Sequence, residues 1–386
     1  MKPQVITHVR AVVDGRRMME RARITVEAGK ILAVEPDEGP APEYALDGGG
    51  LTLTPGLIDL HIHGAAGRDL IEGSQRAARA VSENISRDGV TAFMASLTVV
   101  SHGEMLRILK GYGEMAALPG ARLAGVHAEG PYLSRRYKAL MDERWLRDPS
   151  VAELDEMLEA SAGRLRVMTV APELPGMDAF IRQAAQRGVA VMLGHTAASS
   201  GDMHRAALAG ARGITHLYNA MSQHLHREPG AVTGAFLEEG LYAELIADGY
   251  HVAPDVVRMT YRYMGPERLI LITDAMLGKG MPDGDFVFSG LACRKSGLEV
   301  KVIDGERRAG SAIGLNEALR RMQQMTGCGP CQLVQMACVN PARVAGLEGK
   351  KGRLMAGMDA DLALFDDDWV CKGAMAEGKW IWRADG

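Results

Sequence analysis

The segment Pro55-Gly56-Leu57-Ile58-Asp59-Leu60-His61-Ile62-His63-Gly64 joins a run typical of a buried β-strand to two histidines. Side chains at positions i and i+2 of a strand lie on one face, so the rings of His61 and His63 can hold one cation together. A lone histidine is more often a packed or exposed residue than a ligand. Two at this spacing, at the end of an apolar run, predict a metal site.

Four further apolar runs end in residues that bind metals or move protons. They are His127-Ala128-Glu129-Gly130, Leu193-Gly194-His195-Thr196, Ile214-Thr215-His216 and Ile272-Thr273-Asp274-Ala275. Histidine and carboxylate side chains gathered from separate strand ends make up a hydrolytic metal site. The sequence therefore predicts a metal-dependent hydrolase with Glu129, His195 and His216 as candidate ligands and Asp274 as a candidate general base.

Several of these residues leave alternatives open. His127 lies two positions before Glu129 and points the same way, so it is either a ligand or a partner behind one. Glu129 can instead be a loop acid at the surface, a position that the following Gly-Pro pair permits. Asp274 can accept a proton from the attacking water and return it to a leaving amine, or it can cap a helix.

The fold class follows from eight runs rich in Val, Ile and Leu, with helical patterns between them. The runs are Leu51–Ile62, Val90–Leu97, Leu123–His127, Leu165–Ala171, Val189–Leu193, Gly213–Leu217, Tyr242–Ala247 and Leu269–Ile272. Strands without polar alternation are buried on both faces, as in parallel sheets. Eight of them alternating with helices predict a (β/α)8 TIM-type barrel, which keeps its chemistry at the carboxyl ends of the strands.

The two ends of the chain do not fit the barrel pattern. Residues 1–50 and 345–386 contain short β-like pieces separated by glycine turns. We expect these ends to pair into one small β-sandwich domain beside a barrel formed by residues 51–344.

The bulk composition limits the partners. The 386 residues carry a net charge of −4, which gives no basic field for nucleic acid or an anionic membrane. No window approaches the roughly 18 unbroken apolar residues of a membrane span, and the first residues do not form a signal peptide. The expected compartment is the cytoplasm.

Five cysteines in such a chain predict reduced thiols. Two of them, Cys328 and Cys331, spell a redox-type dithiol, but they follow a helical pattern rather than a strand. The simpler interpretation is a turn between two helices, with Pro330 at a helix start.

A second group of polar residues lies where a substrate anion would bind. Asn219 opens a polar segment that runs to Gly230, and His251 follows the seventh strand. The planar guanidinium of Arg227 suits a phosphate or carboxylate, although an arginine on a loop is usually only solvated. A position at the mouth of a barrel makes anion binding a reasonable expectation.

Together these motifs resemble the amidohydrolase superfamily, and most closely its N-acetylglucosamine-6-phosphate deacetylases. The likeness covers nearly the whole chain. It is carried by Pro-Gly-Leu-Ile-Asp-Leu-His-Ile-His from Pro55, His-Ala-Glu-Gly-Pro-Tyr from His127, Gly-His-Thr from Gly194, Thr-His-Leu-Tyr-Asn-Ala-Met-Ser from Thr215, Arg-Glu-Pro-Gly from Arg227, Asp-Gly-Tyr-His from Asp248 and Thr-Asp-Ala-Met from Thr273.

The resemblance implies a role for each matched residue. Glu129, His195 and His216 would hold the main metal ion, and His61 and His63 would hold a second one where it is present. Asp274 would act as general base and then as acid. The sugar phosphate would contact Asn219, the Ala220 backbone, Arg227 and His251. In the family this arginine reaches a neighbouring subunit's site, so a homodimer is implied.

One departure from the family affects the acyl end of the substrate. The family usually carries a histidine that contacts the acyl carbonyl, and this chain has Met141 there, after Leu140. A thioether cannot donate a hydrogen bond to a developing oxyanion, and losing one such donor can cost about a hundredfold in rate.

The resulting expectation is a hydrolase that removes the N-acetyl group from an N-acetylhexosamine 6-phosphate, with one or two divalent ions. Zinc is the first choice, and iron or another divalent ion is the alternative. Met141 keeps open a related hydrolase acting on another N-acyl amine or on a cyclic amide. A catalytically silent barrel used as a binding protein is a third hypothesis, but it should have lost ligands, and all six candidate positions are present.

Overall fold

A computed structural model describes residues 3–288, 290–304 and 307–384. Within them, eight parallel strands form one sheet in chain order, which confirms the predicted barrel. The strands are Leu57–Ile62, Val90–Leu97, Arg122–Glu129, Leu165–Val170, Ala190–Leu193, Gly213–Ile214, Tyr242–Ile246 and Leu269–Ile272. A parallel bridge between Ile62 and Ala275 brings the last strand back to the first. We number these barrel strands one to eight.

A helix follows each barrel strand and packs on the outside of the sheet. The eight helices are Gln75–Ser86, His102–Gly113, Val151–Ala160, Met177–Gln186, Ser200–Ala209, Ala231–Leu237, Pro254–Met264 and Leu315–Thr326. Strand side chains such as Phe93, Val126 and Leu271 pack with side chains of the helices in the largest core cluster. Ile58, Met192 and Ile270, also on the strands, belong to a second cluster.

The prediction of one strand over Leu51–Ile62 was wrong. Thr52–Pro55 belongs to a sheet formed by the chain termini, and only Leu57–Ile62 belongs to the barrel. The chain passes from one sheet to the other at Gly56, whose N–H donates to the carbonyl of Asp361 at 2.8 Å. A Cβ at Gly56 would lie 2.1 Å from the Thr91 hydroxyl, so only glycine fits this crossing.

The two ends of the chain do pair into a β domain beside the barrel. Its eight-stranded sheet contains Gln4–Val12, Met18–Glu27, Lys30–Pro36, Leu46–Asp47, Thr52–Pro55, Leu362–Phe365, Cys371–Ala376 and Lys379–Arg383. The domain has a core of its own, which includes Ile6, Ile24 and Leu362.

A third sheet, which the sequence analysis did not predict, separates barrel strand eight from the last barrel helix. Its antiparallel strands are Gly284–Phe288, Leu291–Ser296, Glu299–Val302 and Arg308–Ser311. We call this unit the insert. Its final strand returns to the barrel, where the N–H of Ser311 donates to the carbonyl of Asp274 at 2.9 Å.

The dithiol motif lies in a turn between two helices, as the simpler interpretation held. Gly327 ends the helix Leu315–Thr326 in a left-handed conformation, and Gly329 precedes the short helix Pro330–Val334. Both thiols are free. Among the described residues, no helix combines the length and apolar character needed to cross a bilayer.

Candidate metal centre and active site

Strand three shows how the barrel presents polar groups to its interior. Val126 and Ala128 lie in the outer core, so His127 and Glu129 point inward. Glu129 is the last residue of the strand and is 3% exposed. Its carboxylate therefore lies at the mouth of the barrel, where the other strand ends also converge.

The first candidate ligand group consists of Glu129, His195 and His216. The Oε1 atom of Glu129 lies 3.1 Å from Nε2 of His195 and 3.0 Å from Nε2 of His216. The two Nε2 atoms are 3.1 Å from each other. Three donor atoms from barrel strands three, five and six thus point at one small volume.

The second group consists of His61, His63 and Asp274. The Nε2 atoms of His61 and His63 are 3.1 Å apart, and Oδ1 of Asp274 lies 3.3 Å from Nε2 of His63. The two groups adjoin, because Oε2 of Glu129 is 3.4 Å from Nε2 of His63. The structure thus brings together all six residues that the sequence singled out for metal and proton chemistry.

The backbone at these positions is strained. His195, His216 and Asp274 have φ values of 47°, 30° and 46°, in the left-handed region that residues other than glycine rarely occupy. Such strain persists only where surrounding contacts impose it, and it concentrates at functional sites. The loop after His195 is held in this way, because the Thr196 N–H donates to the carbonyl of Ala220 at 3.1 Å.

Hydrogen bonds at Nδ1, on the side away from the shared volume, orient two of the histidine rings. Nδ1 of His61 lies 3.0 Å from Oε2 of Glu244, and Nδ1 of His195 lies 2.8 Å from the carbonyl oxygen of Tyr137. Partners of this kind fix the ring so that Nε2 faces the metal. The same Glu244 oxygen accepts the backbone N–H of His216 at 3.2 Å, so one carboxylate supports both ligand groups.

Glu244 is not among the site residues predicted from the sequence, although the sequence contains a signal for it. Glu244 is fully buried in the middle of barrel strand seven, between Ala243 and Leu245. A carboxylate in a strand buried on both faces must find a partner, which is reason enough to place it next to a functional histidine.

His127 lies behind the ligands. Its Nε2 is 2.7 Å from the Thr169 hydroxyl and its Nδ1 is 3.2 Å from the Ser96 hydroxyl, so both ring nitrogens are engaged. Its ring packs edge-on against His61. Burial, reinforced by the nearby His61, holds the pKa of His127 well below its usual value. Of the two alternatives left open for His127, the geometry favours a partner behind the ligands.

The buried carboxylates of the site favour the binding of a cation. Burial by itself lowers the pKa of His61, but the carboxylates of Asp274, Glu129 and Glu244 outweigh it and raise the pKa to about 9. Burial raises the pKa of Asp274, and the adjacent imidazoles reverse this and bring it to about 2. Among the described residues, no lysine or arginine lies within 4.0 Å of Glu129 or Asp274.

The donor set fits a divalent transition metal. Imidazole nitrogens bound to tetrahedral zinc at about 2.0–2.1 Å lie about 3.3 Å apart, close to the 3.1 Å found in both histidine pairs. Within the described part of the chain, the Nδ1 atoms of His63 and His216 have no hydrogen-bond partner. This leaves their Nε2 atoms as the nitrogens directed at the shared volume.

A cavity of about 570 Å³ opens above the two ligand groups. Five of the six residues predicted to contact substrate line it: Leu140, Met141, Asn219, Ala220 and His251. Burial raises the pKa of Asp248, but its 2.6 Å hydrogen bond to Nδ1 of His251 lowers the value overall and fixes the histidine ring. Arg227, the sixth residue, is exposed and does not line the cavity.

The wall around Met141 is apolar. Met141 is 9% exposed and packs with Val99, Leu133 and Leu146 in a separate small core cluster. The thioether is thus built into the wall of the cavity rather than left in solvent.

A (β/α)8 barrel with histidine and carboxylate groups at the carboxyl ends of its strands defines the class of metal-dependent barrel hydrolases. Comparison with known proteins gives the family. Residues 52–381 match the amidohydrolase family, and the chain belongs to that family. Its members use divalent metals, in agreement with the two ligand groups.

Full-length relatives extend the likeness. The chain is 33% identical over 379 residues to an N-acetylglucosamine-6-phosphate deacetylase of Bacillus subtilis, covering 95% of each chain. It is 33% identical over 366 residues to an N-acetylgalactosamine-6-phosphate deacetylase of Escherichia coli O157:H7, covering 94% of this chain and 96% of the relative.

Solved structures agree. A variant N-acetyl-D-glucosamine-6-phosphate deacetylase from Mycobacterium smegmatis, in complex with N-acetyl-D-glucosamine-6-phosphate, superposes with a TM-score of 0.91 at 30% identity. The match covers 99% of this chain and 100% of that one.

Proposed function

We propose that this protein removes the N-acetyl group from N-acetylhexosamine 6-phosphates. The observation that carries the proposal is the position of Asp274, which lines the cavity and adjoins the buried candidate metal ligands of both groups. The full-length relatives named as deacetylases of two such sugars support the substrate class. The same ligand sets argue against a catalytically silent barrel.

Glu129, His195 and His216 would hold the main ion, and His61 with His63 would hold a second one where it is bound. Zinc is the ion we propose first, because imidazole nitrogens dominate the donor set, with iron or another divalent ion as the alternative. When bound, the ion would polarise the acyl carbonyl and lower the pKa of a water molecule.

Asp274 would move the proton. Its ionised carboxylate can take a proton from the attacking water as the new carbon–oxygen bond forms. It can then give that proton to the amide nitrogen as the carbon–nitrogen bond breaks, which releases acetate and the amino sugar. His63, 3.3 Å from Oδ1 of Asp274, holds the carboxylate in place.

The sugar phosphate would lie against Asn219, the Ala220 backbone and His251, which line the cavity. The carboxylate of Asp248 is engaged by Nδ1 of His251 at 2.6 Å. We propose that Arg227 completes this site in a second subunit of a homodimer. Its exposure and its absence from the cavity wall of its own chain support that arrangement.

A second candidate function rests on Met141. The apolar cluster that it forms with Val99, Leu133 and Leu146 offers no hydrogen-bond donor from these side chains to an acyl oxygen. A related activity on a different N-acyl amine, or on a cyclic amide, would suit this wall.

Two broader proposals accompany the function. Free cysteines at all five positions suit a reducing compartment, so we propose the cytoplasm. We also propose that the chain forms two domains, as predicted for residues 1–50 with 345–386 and residues 51–344, but with the first boundary moved to Gly56, because Thr52–Pro55 belongs to the terminal sheet. The separate cores of the terminal sheet and the barrel support the division, with the crossing at Gly56.

Steady-state release of acetate from N-acetylglucosamine 6-phosphate tests the function. We expect turnover of a few per second or more for the metal-loaded enzyme. The Asp274→Asn variant should lose about 100- to 10,000-fold in kcat because proton transfer fails. Asp255→Asn, an exposed change on an outer helix, should behave like the wild type.

A panel of N-acyl amines and cyclic amides separates the two candidate functions. Faster turnover of a compound with a larger or less polar acyl part, together with weak acetate release, would favour the alternative. Absence of any hydrolysis by metal-loaded protein would refute both and revive the binding-protein hypothesis.

A further inference from the structure

Three arginines line the active-site cavity away from the ligand groups and from the residues assigned to the sugar phosphate. They are Arg136, Arg307 and Arg308. Arg136 belongs to the loop after barrel strand three, Arg308 begins the last strand of the insert, and Arg307 directly precedes that strand. Guanidinium groups from two separate segments thus face one substrate cavity.

The loop that carries Arg136 is fixed to the metal centre. The next residue, Tyr137, accepts Nδ1–H of His195 on its carbonyl oxygen at 2.8 Å. The neighbouring basic residues Arg135 and Lys138 both pair with Glu143, at 3.3 and 3.7 Å. Among the described residues, Arg136 itself has no carboxylate within 4.0 Å, so its charge is not neutralised by the loop.

The arginines of the insert are held at a defined distance from Asp274. A Cβ at Gly310 would lie 2.9 Å from the carbonyl oxygen of Asp274, so the strand packs directly on that residue. At about 3.3 Å per residue of extended backbone, the Cα atoms of Arg308 and Arg307 lie about 7 and 10 Å from that of Gly310. A group on the far side of a bound sugar ring can reach that distance from the reacting amide.

The surroundings of these arginines favour an anion. Arg308 shares its charge with Glu299 at 3.1 Å, whereas Arg307 has no carboxylate within 4.0 Å among the described residues. Asp142 also lines the cavity, but it pairs with Arg144 at 2.6 Å. An arginine without a partner beside an apolar wall binds phosphate or carboxylate through charge-assisted, often bidentate, hydrogen bonds.

We propose that Arg136 and Arg307 form a second anion-binding subsite. The substrates of this enzyme then include N-acyl amino sugars that carry another phosphate or a carboxylate in addition to the 6-phosphate. The inference rests on the proposed deacetylase function, which assigns the 6-phosphate to the side of Asn219 and His251.

Matched substrates test the subsite. The wild-type enzyme should hydrolyse N-acetylglucosamine 1,6-bisphosphate or N-acetylmuramic acid 6-phosphate with a kcat/KM at least about tenfold above that for N-acetylglucosamine 6-phosphate, the difference that one retained charge-assisted contact makes. A preference for the first compound identifies a phosphate ligand, and a preference for the second a carboxylate. A ratio near one for both overturns the proposal and leaves the deacetylase function standing.

Variants show whether the arginines cause the preference. The ratio should fall toward one in the double variant Arg136→Gln/Arg307→Gln. It should persist in Arg135→Gln/Arg294→Gln, which removes two charges from the same segments but from side chains paired with Glu143 and Asp285. A ratio that survives in the first variant contradicts the subsite.

A binding measurement decides the case even if no N-acyl sugar is hydrolysed. Calorimetry on the metal-loaded protein should give a lower Kd for glucose 1,6-bisphosphate than for glucose 6-phosphate, and the Arg136→Gln/Arg307→Gln variant should abolish the difference. Equal Kd values in the wild type would refute the subsite independently of the reaction.

Discussion

Two buried clusters of charged side chains in this protein have opposite designs. One is the metal centre at the mouth of the barrel. The other lies in the segment after the last helices, where Nζ of Lys351 is 2.6 Å from Asp361 and 3.0 Å from Asp359. We call this second group the lysine cluster.

The lysine cluster satisfies its own charges. Asp359 also pairs with Lys30 at 2.6 Å, and Asp361 accepts the backbone N–H of Glu377 at 2.8 Å. Burial lowers the pKa of Lys351, but the two aspartates outweigh it and raise the value overall. Each buried charge there has an opposite charge beside it.

At the metal centre, by contrast, no lysine or arginine among the described residues pairs with the carboxylates. Its carboxylates face only imidazoles among the described residues, and ring nitrogens converge in pairs at 3.1 Å. Burial and charge alone therefore do not identify a functional site. A functional site is indicated when buried donor atoms converge without a cationic side chain beside them, because that arrangement is stable only when a ligand such as a metal ion binds there.

The largest effect should come from Glu129→Gln, because the carboxylate of Glu129 faces the Nε2 atoms of His63 in one ligand group and of His195 in the other. We expect loss of bound metal, measured by elemental analysis, and a fall in kcat of at least about 100-fold, more than the loss of a supporting residue costs. Glu267→Gln, an exposed change, is the control. Retention of metal and activity in Glu129→Gln would show that Glu129 is not a ligand.

Lys351→Met should affect stability rather than chemistry. Removal of the lysine leaves Asp361, which is 4% exposed, without its partner, and breaking a buried pair in this way costs about 3 kcal/mol. Denaturant unfolding should report that loss, while kcat per folded molecule stays at the wild-type value. Arg294→Gln, which breaks an exposed pair, should leave the free energy of unfolding unchanged. If kcat fell instead, the contrast between the two clusters would be wrong.

Glu244→Gln should weaken metal binding less than Glu129→Gln does. The amide keeps an acceptor for His61 but removes the buried charge, so metal affinity should drop by about 10- to 100-fold. Titration of the metal-free protein with zinc gives the Kd, and Glu239→Gln on the exposed end of the preceding loop is the control. An unchanged Kd would limit Glu244 to packing, and excess metal should restore activity if the prediction holds.

The sequence predicted which side chains come together at the candidate metal centre, because the chemistry of parallel barrels lies at the strand ends. Each of His61, Glu129, His195, His216 and Asp274 follows an apolar run, and the fold places all such ends at one mouth. The pattern of runs was therefore sufficient to predict which side chains would meet.

Three features escaped the sequence analysis, for different reasons. Glu244 lies inside a strand rather than at its end, so the pattern of polar residues at strand ends does not include it. The insert lies between Asp274 and Leu315 in a segment too long for a structureless loop, which was the available signal. The break at Gly56 interrupts an apolar run that reads as one strand, because both sheets bury their strands fully there.

The amino-acid sequence alone predicted the fold class, the family and the candidate ligand residues, because periodic burial and residue chemistry can be followed position by position. Three positions follow only from the folded structure: His127 lies behind the candidate ligands, Glu244 supports both groups, and Arg227 lies outside its own cavity. Those properties depend on distances between segments far apart in the chain, such as the 3.0 Å between His61 and Glu244. Packing fixes such distances, and no single stretch of sequence encodes them.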